Sequence, residues 1–264
     1  MDSLTNRFNR EVFESYRDIL KAQYRFHSVY SHAKNVWEEK LTLKELVNGP
    51  YLEKAQVYEN GEPLESLALH DKTIKTIRGR LGERNLYRHQ TDALKLLLSG
   101  RSAVIATGTS SGKTLCYQIP ILDDLIRNSS PGLRAVIIYP LNALVNDQLT
   151  EWEKMLKDHA GITFARFTSQ TPDDQTMYEN RIRKSIHDRL LNKQLSQQDL
   201  NRHVEIELKA ELQSEIINRL NHREDIRNIK PQILITNFSM LEYLLERPID
   251  SPIFENANMK FLVL

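Results

Sequence analysis

The sequence predicts an α/β fold: a parallel sheet flanked by helices, with a mainly helical N-terminal region and a helical insertion. Three observations carry that prediction. Short apolar, β-rich runs recur at residues 102–106, 134–140, 162–168, 232–236 and 260–264, and stretches with helical spacing lie between them; strands alternating with helices are the pattern of parallel βαβ units. The runs 102–106 and 134–140 read as buried strands, covered on both faces. Between the first run and the helix after it lies a turn of small residues, 107–114, ending in Gly-Lys-Thr.

Taken in order, residues 1–82 form an auxiliary helical region, with Val12, Phe13, Tyr16, Ile19 and Leu20, then Phe26, Val29 and Tyr30, at helical spacing. Turns are expected at 48–50 and 60–63, where Gly and Pro cluster. The second domain is expected over 83–264. It begins with an amphipathic helix over 86–100 closed by Gly100, followed by the buried strand 102–106 and a helix from the Gly-Lys-Thr turn to about residue 126. The strand 134–140, a helix from Asn142, the strand 162–168, the strand 232–236, a helix around Ser239–Leu245 and the strand 260–264 complete it.

Residues 173–230 interrupt this rhythm with 11 acids and 11 bases. Tyr178, Ile182, Ile186 and Leu190 fall four apart, as do Val204, Leu208, Leu212 and Ile216, giving two amphipathic helices. A helical hairpin packed on the domain is the expectation; a clamp or partner-docking arm is the alternative.

Composition bounds the function. The 264 residues carry 36 Lys+Arg against 35 Asp+Glu, a net charge of +1, which excludes a globally basic nucleic-acid coat and an acidic solvating chain. No stretch approaches the ~18 consecutive apolar residues of a membrane span, and the N-terminus has no apolar signal region. The single cysteine, Cys116, cannot pair internally, so a reducing, cytoplasmic setting is expected, with Cys116 as a small buried hydrophobe. The 8 histidines show no metal-ligand spacing; His89 is assigned no role, and Trp37 and Trp152 are expected to pack.

The chemistry is concentrated in Thr107, Gly108, Thr109, Ser110, Ser111, Gly112, Lys113 and Thr114. Small residues let the backbone wrap so that N–H groups converge on phosphate oxygens, and the helix N-terminus adds partial positive charge. Lys113 is the candidate for the β- and γ-phosphates, and Thr114 for Mg²⁺. Thr107 and Ser110 depart from the glycine-rich form of such loops.

Other blocks accompany the loop. Leu86-Tyr87-Arg88-His89-Gln90 resembles the glutamine motif of superfamily-two helicases, the DEAD/DEAH-box-like ATPases. Tyr139-Pro140-Leu141-Asn142-Ala143-Leu144 resembles their motif Ia, Phe167–Pro172 falls where motif Ib lies, and Ile233–Leu241 resembles the block before motif II. The style is nearest to large bacterial helicases with a DUF1998-type module. The resemblance covers 86–264 and implies a RecA-like first motor domain, ATP and Mg²⁺ as cofactors, and nucleic acid, DNA before RNA, as partner. It implies that Gln90 reads adenine, and that Pro140, Leu141, Asn142, Thr168, Ser169 and Thr236, all at strand ends, meet a phosphate backbone through N–H groups and hydroxyls. The family's acidic box follows a strand like 260–264, where this sequence stops, and a second RecA-like domain supplies an arginine finger worth about 10³–10⁵ in rate. The 264 residues alone are therefore expected to be an inactive truncated portion needing that domain or partner subunits. A non-catalytic short form and a non-helicase P-loop NTPase are the alternatives.

Overall fold

A computed structural model describes residues 11–19, 35–36, 58–108, 111–191, 196–215 and 217–264. The chain divides into two compact units, Met1–Val57 and Tyr58–Leu264. In the first, residues 11–19 form a helix (α1) on which Val12, Tyr16 and Ile19 are exposed. The expectations for Leu20, Phe26, Val29, Tyr30, Trp37 and the turn at 48–50 lie outside the described residues.

The second unit starts earlier than residue 83 because Leu64, Leu67, Leu69 and Ile77 sit in its main core. Its helices are α2 (Asp71–Leu81), α3 (Arg88–Leu98), α4 (Lys113–Arg127), α5 (Asn142–Leu156), α6 (Gln175–Leu190), α7 (Gln197–Ser214), α8 (Arg223–Ile229) and α9 (Phe238–Glu246). Its strands are β1 (Ala135–Tyr139), β2 (Phe164–Phe167), β3 (Arg219–Leu220), β4 (Ile233–Asn237) and β5 (Phe261–Val263). They form one parallel sheet in the order β3-β2-β4-β1-β5. The register places Tyr139 of β1 opposite Asn237 of β4, and Phe167 of β2 opposite Thr236, so three strands end on one edge of the sheet.

The period of two along each strand separates the core into two layers. Ala135, Ile137, Phe164, Ile233 and Ile235 pack under Val145, Leu149 and Trp152 of α5 and Ile119 and Leu122 of α4. Val136, Ile138, Ala165, Phe167 and Leu234 face Ile226 of α8 and Met240 and Leu244 of α9. Trp152 is fully buried, as a packing residue should be. Two buried acids anchor α4: Asp123 accepts from the Thr73 hydroxyl (2.8 Å) and the His70 N–H (2.6 Å), and Asp124 pairs with Arg134 and Lys260, both at 2.6 Å. Burial pushes the Asp124 carboxyl up, but Arg134 and Lys260 outweigh it and hold it below the usual carboxylate range.

Two expectations are corrected. Residues 102–106 join no ladder, and Val104 is 97% exposed. Exposure still alternates along the run, as in a strand with one covered face, but a strand is defined by its hydrogen-bonded neighbour and this segment has none. The insertion, too, differs. Ile186, Leu190, Leu200, Val204 and Leu208 form a core of their own, with Ile182 and Leu212 against it. The two apolar stripes therefore close on each other rather than on the sheet. Arg183–Glu205 (2.9 Å) and Arg189–Glu207 (2.6 Å) flank the seam, pairing a base-rich α6 with an acid-rich α7. The segment also holds β3 and α8, so the sheet resumes inside it.

Candidate functional site

The loop between residue 106 and α4 is held by its own small side chains and by α3. The Thr107 and Ser111 hydroxyls meet at 2.6 Å, closing the loop across its neck. This accounts for threonine where glycine was expected: Thr107 is not among the residues with positive φ, so its backbone needs no glycine, and its hydroxyl adds a bond. Gly112, by contrast, has φ 74°, and a Cβ there would lie 2.5 Å from the Gln90 amide nitrogen. Only glycine meets both demands. Thr109 and Ser110 lie outside the described residues.

Lys113 opens α4, whose N-terminus has no side-chain cap, so its first-turn N–H groups remain available to an anion. The Lys113 ammonium curls back over the loop, donating to the Thr107 carbonyl (2.9 Å) and the Gly108 carbonyl (2.7 Å). Those are neutral acceptors; an anionic oxygen would add the attraction of an opposite charge to the same bond. Thr114 follows, half-buried, in the first turn. Two residues on, Cys116 is buried, and desolvation pushes its thiol up to about 11.

Helix α3 is latched to this loop by two consecutive residues. Gln90 is only 3% exposed; its amide donates to the Gly112 carbonyl (2.8 Å) and its carbonyl accepts from the Tyr87 N–H (2.8 Å), capping α3. A solvent-facing glutamine is thus ruled out, and the amide keeps one proton and one lone pair beyond these bonds. His89, assigned no role from sequence, bonds the Ser111 carbonyl through Nε2 at 3.0 Å. Its ring stacks on Tyr87, with Tyr58 beside both (centroids 5.3–5.8 Å apart). Tyr58 is held there by a short bridge, Asn60 opposite Tyr87, with the Gly61 N–H donating to the Leu86 carbonyl (2.7 Å). The available signal was the aromatic and imidazole side chains flanking Gln90; the bridge bringing Tyr58 across could not be read from spacing.

The strand-end residues divide. Pro140 and Leu141 are exposed and Asn142 is half-buried at the start of α5, which has no side-chain cap. Asn142 accepts from the Asn237 side-chain amide (2.7 Å), joining the ends of β1 and β4. Ser169 is exposed. Thr168 and Thr236, however, are fully buried. Thr236 donates its hydroxyl to the Phe167 carbonyl (2.7 Å), and the Thr168 hydroxyl oxygen accepts from the Gln170 N–H (3.2 Å). Their hydroxyls brace the ends of β2 and β4 and do not face outward, which corrects the expected phosphate contact through these two side chains. Among the described residues no group of three or more His, Cys, Asp and Glu is placed to hold a metal, and no helix is long and apolar enough to cross a membrane.

Residues 87–190 match the DEAD/DEAH box helicase family model. The chain is 29% identical to the Druantia protein DruE of Escherichia coli (strain UMEA 4076-1), over 94% of this chain and 17% of DruE. It is 34% identical to the uncharacterized ATP-dependent helicase YprA of Bacillus subtilis (strain 168), over 44% of this chain and 15% of YprA. The solved structure of the DUF1998 helicase MrfA bound to DNA shares its fold, with a TM-score of 0.51 and 22% identity over 78% of this chain and 22% of that one. The chain thus spans less than a quarter of the length of each of these proteins. The parallel sheet is RecA-like in fold, and residues 87–190 are similar to the DEAD/DEAH box helicases.

Proposed function

We propose that this chain is the ATP-binding N-terminal part of an ATP-dependent nucleic-acid helicase or translocase, working with a second RecA-like domain or partner subunits in the cytoplasm. The observation that carries the reading is the Lys113 ammonium resting on two loop carbonyls, without a carboxylate partner among the described residues, at the uncapped start of α4. A lysine committed to an ion pair would have to break it to take a phosphate; this one exchanges carbonyl oxygens for phosphate oxygens. Thr107, Gly108 and Thr109–Gly112 supply the cradle. Thr114 offers one hydroxyl to Mg²⁺, in keeping with an ion that binds through few protein groups plus the phosphates themselves. The ion's contribution is to neutralise charge on the transferred phosphoryl group. Gln90 has one amide proton and one lone pair to spare, which is what an adenine edge requires.

Nucleic acid is proposed to run across the strand ends, where Pro140, Leu141 and Asn142 lead into the uncapped N–H groups of α5 and Ser169 is exposed. Backbone dipoles there serve in place of a lysine patch, which fits a net charge of +1. DNA is the favoured partner, supported by the DNA-bound state of MrfA. Fluorescent-nucleotide titration tests the reading: ATP binds more tightly than GTP, and Lys113→Ala weakens ATP at least about tenfold, one charge-assisted contact being worth roughly 1.5–3 kcal/mol. Equal affinity of wild type and Lys113→Ala overturns it; equal affinity for ATP and GTP favours a P-loop NTPase of another kind.

A further inference from the structure

We propose that Tyr117 is a positioning residue that ties the phosphate loop's helix to α5, so that filling the loop is felt at the strand-end site. The proposal rests on the nucleotide-binding reading above. Tyr117 lies one helical turn after Thr114 on α4, on the same face. Its hydroxyl bonds the hydroxyl of Tyr139, the last residue of β1, and donates to the Gln148 carbonyl of α5 at 3.0 Å. Among the described residues, this is the side-chain hydrogen bond that joins α4 directly to α5.

Valence fixes the direction of each bond. Tyr117 has one proton, and the Gln148 carbonyl can only accept, so that proton is committed to α5. Tyr139 must then donate to the Tyr117 oxygen. Thr114 also interacts with Tyr117 through its side chain, so a Thr114 oxygen turned toward a cation leaves its proton a neighbour to point at. Burial pushes both phenols up, keeping them neutral. The joint therefore carries direction and no charge. It connects the second turn of α4, the residue immediately before Pro140, and the second turn of α5.

Hydrogen exchange read by mass spectrometry, with and without saturating Mg²⁺-AMPPNP, tests the link. In the wild type, nucleotide slows exchange in both 113–127 and 142–156 by at least about threefold, within the range over which local opening responds to ligands. In Tyr117→Phe, the response in 113–127 is retained and that in 142–156 falls below about half of its wild-type value. A merely packing role would change exchange equally with and without nucleotide, leaving the nucleotide-dependent difference in 142–156 intact; that result overturns the proposal, as does a wild-type 142–156 that does not respond. If 113–127 in the wild type does not respond either, the nucleotide-binding reading itself fails. Should Tyr117→Phe not fold, Gln148→Met removes the acceptor on α5, and the same loss is expected.

Discussion

The phosphate loop and the α6–α7 hairpin are held together in opposite ways. The hairpin is local: Ile186, Leu190, Leu200, Val204 and Leu208 meet within one stretch of chain and form a dry core apart from the sheet. The loop is non-local and polar: its shape depends on Gln90 and His89, each 22 residues away, bonding the Gly112 and Ser111 carbonyls. The hairpin's apolar contacts are thus separate from those of the sheet, whereas the loop's bonds run to α3. The proposed site lies on an element that others constrain, whereas the insertion's apolar cluster is its own.

The largest expected effect breaks the loop side of this contrast. In Gly112→Ala the new Cβ would sit 2.5 Å from the Gln90 nitrogen at φ 74°. A left-handed conformation costs an alanine about 1–2 kcal/mol, and displacing Gln90 adds the loss of a buried hydrogen bond. ATP affinity should fall by about 50-fold or more, on the scale of roughly 1.4 kcal/mol per decade; titration that finds wild-type affinity would show the latch does not shape the cradle. The hairpin side is broken by Val204→Asp, which buries a charge in its small core. Exchange across 175–214 should rise to that of an open segment, at a local cost of about 3–5 kcal/mol, while ATP affinity stays within about twofold. Loss of nucleotide binding together with the hairpin would mean that the two are one cooperative unit.

A smaller effect lies inside α4. Gln118 is fully buried, and neither amide atom has a hydrogen-bond partner in the structure. Gln118→Met keeps a similar shape and removes two unsatisfied polar atoms, so it should stabilise the second unit by about 1–2 kcal/mol. Thermal unfolding should shift upward by roughly 2–4 °C per kcal/mol. A lower midpoint would mean that the amide bonds water or a neighbour and belongs with the polar ties of the site.

What the sequence disclosed follows the same division. Types and order were legible: short β-rich runs marked β1, β2, β4 and β5, and the Gly-Lys-Thr turn marked the start of α4. Partners at a distance were not. The two amphipathic stripes of the insertion were read correctly as helices and assigned to the wrong neighbour, because periodicity gives the apolar face and not what covers it. The two-residue β3 was missed, since a strand so short carries no period of its own. The run 102–106 has strand composition but no ladder. Thr168 and Thr236 sit at strand ends as expected, yet a hydroxyl there bonds whichever carbonyl is nearest, and for Thr236 that is Phe167. His89 was passed over because a single histidine carries no spacing signal; only the fold brings it to Ser111.

The smallest expected effect sharpens where the site ends and the core begins. Cys116 lies two residues beyond Thr114 but faces inward, fully buried, with its thiol pushed up by desolvation to about 11. At pH 8 the thiolate fraction is then about 10⁻³, so an aromatic disulfide reagent should react with the folded chain far more slowly than with the same chain in denaturant. Mg²⁺-nucleotide, held one half-turn away, should leave that slow rate within about twofold, because access is limited by opening of the core and not by the loop. The sign for stability follows. A thiol whose folded pKa exceeds its unfolded value contributes stability that is present below pH 9 and lost as pH rises toward 11. Cys116→Ala should remove that alkaline component while leaving the response to ATP unchanged. If nucleotide instead shields the thiol strongly, the inward face of α4 moves with the loop, and the boundary between the constrained site and the packed core lies deeper than the first turn of the helix.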